Sequence, residues 1–401
     1  MLKTANPILN KALEGKRITE AEALELFESA SDLDLAYTAN ELRRKDHPDS
    51  APTTYVVQRN INYSNVCTAH CNFCAFYTPP GANNNYPKAY VHDYETVLKP
   101  KIQELVDING TEILFQGGHN PELGLDYYTE LFKQIKKDFP NITLHALSPA
   151  EIVHITEKRI TPPEDYGDGT NRKKILEPNM QQVKETLEAL KKAGMDSLPG
   201  AGAEILTERV RKIIAPLKIT TQTWLDVMET AHGLGMRSSA TMMYGHVETY
   251  EDRVEHLRVI RELQDKTQGF TAFVVWNFQK GDTPLTKIMD SLEEQGKLPS
   301  YNKNSSGEDH LRTLAISRIY LDNIKNFQSS WVTQGHKLGQ VSLSFGANDL
   351  GGNMMEENVV SAAGTTHRAA VNEMEYYIKA AGREPRQRNT QYQLINNKLH
   401  A

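Results

Sequence analysis

Cysteine is nearly absent from this chain: 401 residues carry three, Cys67, Cys71 and Cys74, all within one eight-residue stretch. An odd, tightly clustered set is a poor disulfide framework, which excludes a stapled secreted scaffold. Long hydrophobic runs are also missing, and none approaches the roughly 20 residues that cross a bilayer. Positive charge is not in excess: 45 Lys and Arg stand against 51 Asp and Glu, a net charge of −6. Nothing therefore pulls the chain toward nucleic acid or an anionic membrane. The amphipathic, acid-bearing N-terminus lacks the pattern of a signal or transit peptide. What is present is an ordinary globular composition with one knot of thiols, which suits a reducing compartment and points to the cytoplasm.

Strand-like and helix-like segments alternate along the chain. Residues 1–50 read as a helical lead-in, with a capping box at Thr19 and Glu22 and a further helix starting at Ser31 or Asp32. Strands are expected at Thr54–Ile61, Glu112–Gln116, Ile142–Ala146, Asp196–Leu198, Arg237–Met243 and Phe270–Trp276. Between them run apolar helix faces such as Leu123, Tyr127, Leu131, Ile135 and Met180, Val183, Leu187, Leu190. Six repeats predict parallel βα units: an α/β fold built as a TIM-type (β/α) barrel, full or partial, with N-terminal helices and a C-terminal extension. A doubly wound sheet competes, but no Rossmann glycine fingerprint follows the first strand. The barrel core is expected over residues 51–290, a part closing the barrel and pocket over 291–382, and a polar tail over 383–401. Thr161–Pro178, polar and rich in Gly and Pro, reads as an inserted loop, and Ser291–Asp309 is similar.

The cysteine spacing is C-x3-C-x2-C, with Phe73 just before the third. Three thiolates can bind three irons of a cubane cluster and leave the fourth iron open to a chelating molecule. A fully ligated electron-transfer cluster wants a fourth cysteine, and the chain has none. A Cys3His zinc site with His70 is the alternative; His70 adjoins Cys71, however, and adjacent side chains rarely converge on one ion. In a barrel the motif, coming after the first strand, falls at the C-terminal mouth. The CxxxCxFC run resembles the signature of the radical S-adenosylmethionine (SAM) superfamily. That resemblance implies a [4Fe–4S] cluster on Cys67, Cys71 and Cys74, SAM chelated to the open iron, a one-electron donor, and Phe73 and Tyr77 beside the cofactor.

Other motifs sit at strand ends. Gln116-Gly117-Gly118 allows close backbone approach to a ligand, and His119 and Asn120 follow as candidate substrate contacts. His145 could donate to substrate or shuttle a proton, and Ser148 could cap a helix or touch cofactor. Glu204 could accept from ribose hydroxyls or merely favour a helix start. Tyr244 and His246 could face a pocket, Trp276 could give an aromatic wall, and Asn348, Asp349 and Glu356 stand amid glycines as a candidate pocket rim. His145, Tyr244 and Asp349 are the candidate acid–base groups.

From about Arg59 to Gly364, the blocks RNINYSNVC, FCAFY, QGGHNP, HALSP, AEIL, TMMYGHVET, FTAFVVWNFQKGDTPL, SWVTQG and FGANDLGGNMMEENVVSAAG resemble the cyclic dehypoxanthinyl futalosine synthase family of menaquinone biosynthesis. Sister aminofutalosine synthases and deazaflavin-forming synthases share parts of the pattern, and Ala201 stands where the family usually has a glycine. The resemblance implies a small-molecule substrate, dehypoxanthine futalosine, cyclised through hydrogen abstraction from the ribose and attack on the benzoate ring. A zinc-stabilised binding protein is the non-catalytic alternative. The sequence leaves a homodimer open.

Overall fold

The computed structural model describes residues 4–82, 86–160, 178–303 and 306–395. The expected inserted loop falls almost wholly on residues 161–177, outside the described residues. Ten strands form one parallel sheet: β1 (Thr53–Val56), β2 (Gln58–Ile61), β3 (Glu112–Phe115), β4 (Thr143–Ala146), β5 (Ser197–Leu198), β6 (Arg237–Tyr244), β7 (Phe270–Asn277), β8 (Asn326–Gln328), β9 (Asp349–Gly352) and β10 (Pro385–Gln387). Their order is β10-β1-β9-β8-β7-β6-β5-β4-β3-β2. The six expected segments supply β1 through β7, the first being split at Val57.

That split shapes the barrel. β1 and β2 are consecutive in the chain yet stand near opposite ends of the sheet, so the sheet must curl until both ends meet one stretch of backbone. β1 is held by β9 and β10, with Thr54 opposite Asp349 and Val56 opposite Gly352, whereas β2 pairs with β3. The result is a partial TIM-type barrel whose wall lacks a ladder between β2 and β9. The chain leaving β9 runs along this gap: Asn353 N–H donates to Val56 O (3.2 Å) and Gln58 N–H to Asn353 Oδ1 (2.9 Å).

Helices cover the outside because each has one apolar face. The helix Leu125–Asp138 buries Tyr128, Leu131, Phe132 and Ile135, the i, i+3, i+4, i+7 set. Leu123 lies before its first turn, which rotates the buried stripe from the expected Tyr127 onto Tyr128. Full burial of such a side chain contributes about 1.5–3 kcal/mol. The lead-in forms α1 (Pro7–Leu13), α2 (Glu20–Ser29) and α3 (Asp32–Asp46), α2 opening with the reciprocal Thr19–Glu22 box. These helices belong to the domain, since α3 packs along the helix Gly307–Tyr320.

The end of the chain departs from expectation. Residues 383–395, read as part of a polar tail, enter the sheet as β10, and Arg388 N–H donates to Tyr55 O (2.8 Å). The segment lacks apolar alternation because its side chains are fixed by polar partners: Arg388 grips Asp349 through two nitrogens at 2.6 and 2.9 Å. Among the described residues no helix is long and apolar enough to cross a membrane.

Candidate active site

The loop after β2 carries the three cysteines and is pinned on several sides. Cys67 N–H donates to Thr78 O (2.9 Å), Thr68 N–H to His119 O (3.1 Å), and Asn72 N–H to Ile214 O (2.8 Å). Inside the loop Ala69 N–H points at Cys67 Sγ (3.4 Å), a donor placed for a thiolate. His70 takes a left-handed backbone (φ 47°), which turns the chain between Cys67 and Cys71. Its side chain stacks edge-on with Tyr77. All three cysteines line one cavity of about 380 Å³ that reaches into the barrel. Burial pushes each thiol above its ordinary range, so a metal that binds there must displace protons.

The glycine pair is a matter of clearance. A Cβ on Gly117 would lie 2.6 Å from the Tyr63 ring, and one on Gly118 would lie 2.1 Å from Val66 O. The turn is braced by Glu151 at the start of the helix Pro149–Ile160. Its Oε1 accepts from Gly117 N–H and Tyr63 O–H, both at 2.9 Å, and its Oε2 from Ser148 N–H at 2.7 Å. Burial raises the Glu151 carboxyl despite these donors. Ser148 Oγ answers by accepting from Glu151 N–H (3.2 Å), so the two form a capping box.

Across the mouth stands Glu204, in a left-handed conformation (φ 42°). Lys218 Nζ donates to its Oε1 (2.8 Å), Arg211 approaches its Oε2 at 3.7 Å, and that oxygen has no hydrogen-bond partner. Against the pull of burial, Cys71 and Glu204 hold Lys218 above the ordinary lysine range. The ammonium sits 5.4 Å over the Phe73 ring.

The cavity gathers Cys67, Cys71, Cys74, Phe73, Tyr77, Gln116, Gly117, Gly118, His119, His145, Ser148, Glu204 and Trp276 from the candidates read in the sequence. Six others it does not gather. Tyr244 is buried in the core, its hydroxyl 2.8 Å from His310 Nδ1 and its ring under Arg253. His246 is fully buried against Glu248 and Met243 O, bracing the loop after β6. Asp349 has both oxygens taken by Arg388, and Asn348 holds Arg318 and the backbone of Phe327. Asn120 fixes its own turn through Ser64 and Glu122. Glu356 turns outward to Arg59 and Lys101, and its neighbour Glu357 faces the cavity instead. There Glu357 accepts from the N–H groups of Val359, Val360 and Ser361.

Several lining residues carried no motif. Glu151 was detectable, since Ser148-x-x-Glu151 is a capping-box spacing. Lys218 lies in an irregular connection with no periodicity, and Arg388 and Tyr392 lie in the stretch read as tail. Among the described residues no three His, Cys, Asp or Glu side chains are gathered to hold one metal ion. A cubane takes each thiolate on a separate iron, so three thiols of one loop, facing a glycine-cleared cavity with no fourth cysteine in the chain, fit a [4Fe–4S] cluster with one open iron.

The Radical SAM superfamily model matches residues 61–260, and the CofH/MqnC C-terminal region model matches residues 267–401. A cyclic dehypoxanthine futalosine synthase of Halalkalibacterium halodurans is 44% identical over 97% of this chain and 94% of that protein. One from Streptomyces coelicolor is 42% identical over 96% and 88%. A 5-amino-6-(D-ribitylamino)uracil–L-tyrosine 4-hydroxyphenyl transferase of Methanosarcina mazei is 38% identical over 97% and 92%. Solved structures of methylornithine synthase (TM-score 0.65, 16% identity, 94% of this chain and 97% of that one) and of the [FeFe]-hydrogenase maturase HydG (0.68, 15%, 96% and 76%) share the fold. By these matches along nearly its whole length, the chain belongs to the radical SAM superfamily, in the branch that holds the cyclic dehypoxanthine futalosine synthases.

Proposed function

We propose that this chain is itself a cyclic dehypoxanthine futalosine synthase: it bonds ribose carbon 4′ of dehypoxanthine futalosine to the benzoate ring, with net loss of two hydrogens. The observation that carries the reading is the single cavity joining the thiol loop, the glycine pair and the barrel interior. The near-full-length similarity, higher to the cyclases than to the hydroxyphenyl transferases, chooses among radical SAM reactions.

A [4Fe–4S] cluster with SAM supplies, when bound, abstraction of a hydrogen atom from an unactivated carbon. Cys67, Cys71 and Cys74 would hold the cluster. Gln116, Gly117, Gly118, Ser148 and Glu204 would surround SAM, with Phe73 and Tyr77 at its flank. The Gly117–Gly118 turn is kept in shape by Glu151, and Glu204 is oriented by Lys218. His119 and Trp276 would bound the substrate. His145 is the acid–base candidate that remains in the cavity: burial lowers its pKa, leaving the ring neutral near pH 7 and able to accept a proton. The barrel wall holds the ribose carbon near the radical source and keeps water and stray hydrogen donors out. A cytoplasmic location and a separate one-electron donor go with this reading.

Anaerobically reconstituted protein incubated with dehypoxanthine futalosine and SAM should release deoxyadenosine and yield a product two hydrogens lighter. Parallel incubation with 5-amino-6-(D-ribitylamino)uracil and L-tyrosine should give no coupled product; coupling there, without cyclisation, would reassign the chain.

A further inference from the structure

Apolar and polar groups face the cavity from different strands. On the β7–β9 side Val274, Trp276, Trp331 and Leu350 face it beside Thr271 and Gln328, and on the β2–β4 side Asn60, Glu112 and His145 face it around Leu114. Parallel register sets Asn60, Leu114 and His145 in one row across three strands. Glu112 lies two residues before Leu114, on the same inward face and beside Gln58. Asn60, Glu112 and His145 are 5%, 4% and 8% exposed.

Each has bonding capacity left over. Asn60 Oδ1 has no hydrogen-bond partner. The Glu112 side chain makes no hydrogen bond or ion pair among the described residues, although the residue is only 4% exposed. His145 uses only Nδ1, 2.7 Å from Ser197 Oγ, and leaves Nε2 over. A folded chain seldom keeps a buried carboxylate without donors unless a ligand supplies them. The neighbouring charges decide which ligand. Arg388, which Glu112 also attracts, is already bonded to Asp349, so Glu112 is left with no directly bonded cation. An anionic group would be repelled there, and an apolar one would leave three polar groups unsatisfied. Hydroxyl groups suit all three, since each O–H donates to one of them and can accept from Asn60 Nδ2.

We propose that Asn60, Glu112 and His145 form a hydroxyl-binding subsite inside the barrel that takes the sugar end of the substrate and sets its aromatic end against Trp276 and Trp331. That the sugar is the ribose of dehypoxanthine futalosine rests on the cyclase reading; recognition of a polyol does not. The position suits the chemistry. Asn62, one strand repeat of about 7 Å beyond Asn60, also lines the cavity, and the cysteine loop follows it. Sugar carbons held by the subsite therefore lie beneath the thiols.

The test is equilibrium binding to anaerobically reconstituted, SAM-loaded protein, using dehypoxanthine futalosine and analogues lacking one ribose hydroxyl. The wild type should bind at least one deoxy analogue about tenfold or more weaker than the full substrate, the expected loss for a hydrogen bond to a charged group. Glu112→Gln should weaken the full substrate by a similar factor and the sensitive analogue by little more, so that the two losses do not multiply. Iron content and SAM affinity serve as controls. Equal affinity of wild type and Glu112→Gln, indifference of the wild type to every missing hydroxyl, or fully multiplicative losses would overturn the subsite. If the wild type neither binds nor converts dehypoxanthine futalosine, the cyclase reading fails by itself. The subsite is then decided with 5-amino-6-(D-ribitylamino)uracil, whose ribityl chain also carries hydroxyls: selective weakening by Glu112→Gln supports it, and equal or absent binding overturns it.

Discussion

Gly118→Ala puts a methyl group in place of one hydrogen where the barrel has no room for it. The new Cβ would lie 2.1 Å from Val66 O, 2.7 Å from Val66 C and 2.9 Å from Cys67 Cβ. Carbon–oxygen contacts ordinarily begin at about 3.3 Å, so the Val66–Cys67 backbone must retreat by roughly 1.2 Å. The obstacle is main chain, which cannot swing aside as a side-chain tip can. The retreat pulls on Cys67 N–H···Thr78 O and Thr68 N–H···His119 O, the bonds that place the first thiol. Overpacking of this kind costs about 1–3 kcal/mol, and a displacement near 1 Å far exceeds the ~0.2 Å tolerance of metal–ligand distances. Iron and sulfide per chain after anaerobic reconstitution should therefore fall severalfold, with a modest drop in thermal midpoint. Two controls separate the causes. Gly124→Ala meets only Lys158 Cγ at 3.8 Å and should leave iron loading unchanged, with only the small stability loss of placing Ala at a helix N-cap. Gly200→Ala presses on the Ala240 backbone at 2.7 Å, away from the cysteine loop, and should lower stability while keeping iron. Full iron loading and unchanged stability in Gly118→Ala would refute the clearance argument.

Other outcomes follow from the same geometry. Arg388→Met strands Asp349, which is 0% exposed, and should cost about 3–5 kcal/mol in urea unfolding; pairing it with Asp349→Leu should recover much of that loss, and a neutral single variant would show that β10 is not held this way. Burial holds His256 down at about 3 and His310 at about 4, below the ~6.5 of an unfolded chain. Both stay neutral when folded, so their contribution is complete above about pH 6.5 and is lost as pH falls, by about 1.4 kcal/mol per pH unit per histidine down to those values. A flat unfolding free energy between pH 6.5 and 4.5 would contradict this. Replacing Cys67, Cys71 or Cys74 by Ala should abolish iron binding and deoxyadenosine formation while far-ultraviolet dichroism stays that of the wild type; retained cleavage of SAM would remove that cysteine from the ligand set.

The barrel was legible because its signals are local. Strand–helix alternation places β1 to β7 within a residue or two, and the thiol spacing marks the mouth without any tertiary knowledge. Glu112 was half legible: it shares strand parity with Leu114 and Gln116, so an acid at that position must face the barrel interior. What sequence alone could not show is which polar residues are consumed by one another. Asp349 looked like a free acid at a glycine-rich strand end, and only the fold brings Arg388 onto it from 39 positions away. Tyr244 and His246 ended a strand that points at the mouth, yet His310, Glu248 and Arg253 draw them into the wall. Glu356 and Glu357 differ by one residue, and no periodicity in an irregular segment says which turns inward. Lys218 likewise depends on a long-range meeting with Glu204.

The most direct test of the cyclase reading follows one hydrogen. Dehypoxanthine futalosine deuterated at ribose carbon 4′ should be converted to a product that has lost the label, and the deoxyadenosine released alongside should be one mass unit heavier. Unlabelled deoxyadenosine, or a product that keeps its deuterium, would contradict the account.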